Sequence, residues 1–132
     1  MTPIVRIDRL RVTFGSGADT VEAVKDVSFE IAPGETVCVV GESGSGKSIT
    51  SLSLMRLVEF DGGQIVDGRL TLNRETGPLD IATADSSAMR DLRGDEIGMI
   101  FQEPMTSLNP VFTIERQLTD GMRVHRRESG PE

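Results

Sequence analysis

One cysteine, one histidine and two lysines among 132 residues leave several kinds of chemistry without their side chains. A single thiol, Cys38, can form neither an internal disulfide nor a zinc cluster, and its place in an apolar run suggests a small hydrophobe in a reducing cytoplasm. No stretch approaches 18 apolar residues, and the first ten positions lack a signal-type apolar core, so the chain is expected to be soluble with no membrane span of its own. Fourteen basic residues face 21 acidic ones, for a net charge of −7, and no basic face emerges. A nucleic-acid backbone is therefore not the expected main partner. The remainder is ordinary: 37% hydrophobic and 27% charged residues suit one globular unit at most, and no internal repeat is present.

Against this background one run stands out. Gly41-Glu42-Ser43-Gly44-Ser45-Gly46-Lys47-Ser48 fits G-x-x-x-x-G-K-[ST]. Before it, Thr36-Val37-Cys38-Val39-Val40 reads as a buried β-strand, short, apolar and rich in β-branched residues. After it, Ile49, Leu52, Met55 and Val58 recur at roughly helical spacing, widened by Leu54 and Leu57. A strand–loop–helix order is what phosphate binding needs. Gly41, Gly44 and Gly46 allow positive φ, so the backbone can curl around an anion and turn its N–H groups inward. The helix beginning near Lys47 adds its positive dipole end. Lys47 would bridge the β- and γ-phosphates, the Ser48 hydroxyl would ligate Mg²⁺, and Glu42, Ser43, Ser45 and Ile49 would complete the lining. Lys47 is conspicuous in a chain that otherwise uses arginine, twelve against two.

The rest of the chain predicts an antiparallel hairpin first. Ile4–Ile7 and Leu10–Phe14 are strand-like, Gly15–Asp19 is a turn, and Val21–Ile31 alternates imperfectly up to Pro33-Gly34. Asp61-Gly62-Gly63 ends the helical pattern, and Gln64–Leu72 reads as a strand around Gly68. Asn73–Asp85 reads as an exposed loop, Asp85 or Ser86 as the cap of a short helix through Leu92 ending at Gly94, and Thr113–Arg126 as a final helix.

A second run begins as a buried-strand candidate, Ile97-Gly98-Met99-Ile100-Phe101, and continues through Gln102-Glu103-Pro104-Met105-Thr106-Ser107-Leu108-Asn109-Pro110. Two prolines hold the continuation off helix. Gln102 would stand at a strand's C-terminal edge, where open α/β sheets bind ligands, although a lone glutamine there, without the glycine-rich loop, is far more often a solvated residue.

Together these runs resemble those of the ATP-binding-cassette (ABC) transporter nucleotide-binding domain. Gly41–Ser48 resembles its Walker A and Phe101-Gln102-Glu103-Pro104 its Q-loop, and both extended strings resemble the branch importing dipeptides, oligopeptides and glutathione in bacteria. Phe14, about 27 residues before Gly41, holds the place of the A-loop aromatic that stacks on adenine. Tyr is commoner there, and an ordinary core Phe is the competing reading.

The resemblance implies an α/β P-loop fold of ABC ATPase type, an antiparallel β subdomain beside an incomplete α/β core, with residues 1–132 as the N-terminal portion of one nucleotide-binding domain. It implies ATP and Mg²⁺ as cofactors, Lys47 and Gln102 as catalytic residues, and Ser48 and Gln102 at the metal. It further implies permease subunits docking on Gln102–Pro110, a second nucleotide-binding domain, and a peripheral place on the inner face of the cell membrane. The family's Leu-Ser-Gly-Gly-Gln signature, its Walker B and its switch His do not occur in this sequence. Asp95-Glu96 precedes an apolar run instead of following one, and His125 comes too early, so neither substitutes. The intact parent would be a transport-coupled ATPase and this chain alone inactive, with apolar surface left exposed. The alternatives are a P-loop ATPase of DNA repair or chromosome maintenance and a non-hydrolysing nucleotide-binding remnant.

Overall fold

The computed structural model describes residues 2–103 and 108–126. They fall into two compact units that divide between Asp85 and Ser86. The first is built on β1 (Val5–Phe14), β2 (Val21–Ile31), β3 (Gly63–Arg74) and β4 (Gly77–Asp80), an antiparallel sheet in the order β2-β1-β3-β4. Helix α1 (Lys47–Leu54) lies between β2 and β3 in the chain and is followed by a 3₁₀ turn at Leu57–Asp61. The second unit contains α2 (Ser86–Asp95) and α3 (Ile114–Arg126).

The imperfect alternation in the strands has a single cause. Val5 and Ile7 are buried, yet so are Leu10 and Val12, which strict alternation would send to the opposite face. One extra residue at Asp8-Arg9 corrects the phase: Arg9 takes φ 49°, and its N–H donates to Ser28 Oγ at 2.8 Å. β2 bulges nearby, at Asp26 (φ 53°), and Gly68 of β3 (φ 98°) stands opposite the β1 bulge. A Cβ on Gly68 would lie 2.6 Å from the Arg9 carbonyl oxygen, so only glycine fits against that bulge. Ile4–Ile7 and Leu10–Phe14 are therefore one bulged strand. Leu70, Leu72, Val24, Met55, Val58 and Ile81 complete the buried set of this unit.

Several expectations need correction. Asn73–Asp85 is not an exposed loop. Glu75-Thr76 is a tight hairpin turn that pairs Asn73 with Pro78 and Thr71 with Asp80, and Ile81 beyond it is fully buried. Pro78 is tolerated because β4 is an edge strand. Thr36–Val40 is not a buried strand either. It pairs with no described strand, all five residues are exposed, and Cys38 is an exposed free thiol instead of a packed hydrophobe. Ile97–Phe101 fails the same way, with one isolated bridge from Ile97 to Arg93 and with Ile100 95% exposed. In each case the apolar pattern is present and no partner strand is found among the described residues, and a strand is stable only when its backbone groups are paired.

The helices come closer to expectation. α1 begins at Lys47 but stops at Leu54, and Arg56 turns left-handed (φ 50°). Within the helix the buried positions are Thr50 and Ser53, whose hydroxyls donate back to carbonyls, Gly46 O at 2.9 Å and Ile49 O at 2.7 Å; of the expected aliphatic stripe Met55 and Val58 are buried just past its end, while Ile49 and Leu52 are half-buried. α2 breaks at Arg93 and Gly94 as its glycine suggested, and α3 runs as expected, its first turn capped by Thr113 Oγ1 accepting from the Arg116 N–H.

Candidate functional site

The loop from Gly41 to Ser48 is shaped by contacts that its own sequence does not contain. Gly44 and Gly46 both take positive φ, 80° and 88°. Gly46 is also pinned from outside: a Cβ there would lie 2.6 Å from Ala23 O and 3.3 Å from a Val24 methyl, so the loop seats directly on β2. Gly41, contrary to expectation, does not use positive φ. Its need for glycine is steric, since a Cβ would lie 2.6 Å from Ser45 Oγ inside the loop. A turn from Glu42 to Ser45, closed by the Ser45 N–H donating to Glu42 O at 3.2 Å, brings that hydroxyl inward.

Lys47 fills the interior. Its Nζ donates to Gly41 O at 2.7 Å, Glu42 O at 2.6 Å and Ser45 Oγ at 3.3 Å, so the ammonium is gathered over the loop by three oxygens. Helix α1 starts here. Its first backbone bond runs from the Thr50 N–H to Gly46 O, which leaves the N–H groups of Lys47, Ser48 and Ile49 with no intrahelical acceptor. A cation and a set of open donors thus converge at the positive end of a helix dipole. That is a donor set for a polyphosphate.

The residues also fit a magnesium–nucleotide pair. Ser48 presents an exposed hydroxyl in the first turn. Among the described residues no group of three or more His, Cys, Asp or Glu side chains could hold a metal alone. Mg²⁺ ordinarily takes few protein ligands and completes its shell with phosphate oxygens and water, so one hydroxyl beside a phosphate loop suits it better than a carboxylate cage would.

Phe14 lies half-buried at the end of β1, with its ring against Gly63: a Cβ on Gly63 would be 2.7 Å from Phe14 Cζ. Its partner on β2 is Val21, close in sequence to the Ala23-Val24 seat of Gly46, so Phe14 and the loop occupy the same end of the hairpin. Ala23, Val24 and Gly63 are the contributors that the sequence reading missed. No local pattern marks them, because they act through packing across 20 residues or more. Gln102 belongs to the second unit and is exposed. Of the loop Gln102–Pro110, Pro104–Ser107, including Met105, lie outside the described residues, and Leu108 is 51% exposed. Asp95 ends α2 and Glu96 follows in its closing turn, its N–H donating to Leu92 O, which is not the strand-end position of a Walker B pair. His125 lies on α3.

A sequence profile of the ABC transporter family matches residues 24–129. The chain belongs to that family. Curated relatives of this ABC chain include a protein of Brucella abortus (strain 2308) named as a peptide import ATP-binding protein, 52% identical over 96% of the chain and 38% of the relative. Glutathione import ATP-binding proteins of Pectobacterium atrosepticum and Escherichia coli K12 are 48% and 41% identical over 94% and 98% of the chain. The chain spans 20% and 21% of their lengths. In fold it is similar to an ATP-binding cassette solved as a dimer in a post-hydrolysis state with ADP and Pi, at TM-score 0.79 and 24% identity, over 96% of this chain and 50% of that one. An ABC ATPase fold is thus shared, although the parallel half of the expected core is unpaired among the described residues. No described helix is long and apolar enough to cross a membrane.

Proposed function

We propose that this ABC chain is the nucleotide-binding part of an ATP-binding subunit that powers import of peptides or glutathione. The observation that carries the reading is Lys47 gathered over the loop oxygens beside the open N–H groups that begin α1. The names of the relatives support the cargo class. On this reading residues 1–132 form the N-terminal portion of one nucleotide-binding domain, paired in the longer protein with a second such domain. Lys47 and the loop hold the β- and γ-phosphates of ATP, Ser48 and Gln102 serve Mg²⁺, and Phe14 stacks on the base. The loop Gln102–Pro110 docks a permease, which places the subunit peripherally on the inner face of the membrane.

Lys47→Ala tests the site directly. Charge-assisted hydrogen bonds contribute about 1.5–3 kcal/mol, so Mg·ATP affinity read by calorimetry should fall about 10- to 100-fold. Equal affinity in parent and variant would refute the phosphate-loop assignment. This chain alone should release phosphate from ATP no faster than background, because hydrolysis needs a positioned water as well as charge neutralisation. Lys47-dependent turnover by the pure chain would overturn that expectation. For docking, Leu108→Asp in the longer subunit should weaken co-purification with its permease and spare Mg·ATP binding.

A further inference from the structure

Gln117 carries several hydrogen bonds in the second unit, and the site described above does not involve it. It sits on the first turns of α3, where a glutamine would ordinarily be a solvated face residue. Its carboxamide instead turns back along the chain to a loop eight residues earlier. Gln117 Oε1 accepts from the Asn109 N–H at 2.8 Å, and Gln117 Nε2 donates to Asn109 O at 3.0 Å. Both backbone groups of one residue are therefore met by one side chain, the pattern that a neighbouring β-strand would supply. The same Nε2 also donates to Phe112 O at 2.9 Å and stands 3.5 Å from Thr113 O.

Around this anchor the loop closes on itself. Asn109 Oδ1 accepts from the Val111 N–H at 2.9 Å, and the Phe112 N–H donates to Asn109 O at 3.2 Å. Arg116 stacks on the Phe112 ring at 4.2 Å from its centre. The result is a tight turn that leaves Val111 82% exposed and Leu108 51% exposed, held by α3. Two exposed aliphatic side chains at the exit of a Pro-flanked loop suit contact with a partner, and ordering them beforehand reduces the entropy lost on contact.

We propose that Gln117 is a positioning residue: its carboxamide stands in for a strand partner to Asn109 and pre-sets the turn 109–112, at the exit of the loop Gln102–Pro110, in the shape presented to the permease. The inference rests on the docking role given to that loop above. It assigns the order of this turn to α3 and not to the partner.

The test compares two substitutions, both by good helix formers, so that α3 itself persists and circular dichroism can verify it. Gln117→Glu keeps an acceptor for the Asn109 N–H and loses the donors. Gln117→Leu loses both. Amide exchange followed by NMR on the chain should show Asn109 exchanging at least about tenfold faster in the Leu variant, and within about threefold of the parent in the Glu variant. An apolar packing role would reverse that order, with Leu protected and Glu not, and such a result overturns the proposal. In the longer subunit, Gln117→Leu should lower permease co-purification severalfold at unchanged Mg·ATP affinity, with Gln117→Glu intermediate. Loss of Asn109 protection with no change in permease association would also overturn it. If instead Leu108→Asp leaves association intact, the docking role of the loop fails, a separate result from the order of amide protection at Asn109.

Discussion

Two segments of the first unit both read as β-strands in the sequence and meet opposite fates. Val5–Val12 is a sheet strand with Ile7, Leu10 and Val12 at 1% exposure or less. Thr36–Val40, with three valines, a threonine and a cysteine, pairs with no described strand, and Val40 is 88% exposed. Intrinsic β-propensity does not separate them, and if anything favours the second. What separates them is company. β1 lies between β2 and β3, so its N–H and C=O groups are bonded on both edges and its apolar face is covered. Thr36–Val40 has neither edge satisfied among the described residues, and hydrophobicity alone does not make a strand.

The widest break in that comparison should come from truncating one residue on each side. Leu10→Ala should cost about 2–5 kcal/mol in denaturant unfolding, since it removes a side chain with no exposed surface. Val39→Ala, at a residue 49% exposed, should stay within about 0.5 kcal/mol. Comparable costs would mean that Thr36–Val40 is packed in solution.

A smaller effect should follow from the bulge. Gly68→Ala places a Cβ against the Arg9 carbonyl at a φ that L-residues avoid, and should destabilise by roughly 1–3 kcal/mol. Were the variant as stable as the parent, the close approach of Gly68 to the Arg9 bulge would not be constraining the sheet. The smallest effect belongs to the outward pair Arg11–Glu22, whose guanidinium donates twice to one carboxylate oxygen, at 2.8 Å and 2.6 Å. Glu22 raises the Arg11 pKa from an already high value, first by hydrogen bonding and then by charge, so no titration of arginine enters the ordinary pH range. Glu22→Gln should shift the melting temperature by no more than a degree or two, and less in high salt.

The candidate site was legible where its chemistry is local. The spacing of Gly41, Gly44, Gly46, Lys47 and Ser48 announced a loop opening a helix, and the structure begins α1 at Lys47. The turn at Pro33-Gly34 was legible for the same reason, and the Glu35 N–H donates to Ala32 O there. Illegible were the features that depend on distant residues. Nothing around Gly46 says that Ala23 will abut it, nothing around Asn109 says that Gln117 will bond both its backbone groups, and the polar run 73–85 conceals a hairpin because alternation over four residues is too short to read.

The sequence by itself determined the glycine-rich loop and the helix that follows it, since glycine torsions, a lysine and a hydroxyl at set spacing act within a few residues of one another, and its pattern over residues 24–129 determined the membership of the ABC transporter family. Tertiary structure alone decided which apolar runs became strands, where the sheet bulges, and which residues seat Gly46. Those outcomes turn on backbone groups finding partners and on side chains finding cover from elements far away in the chain, and neither partner nor cover is written in the segment that needs it.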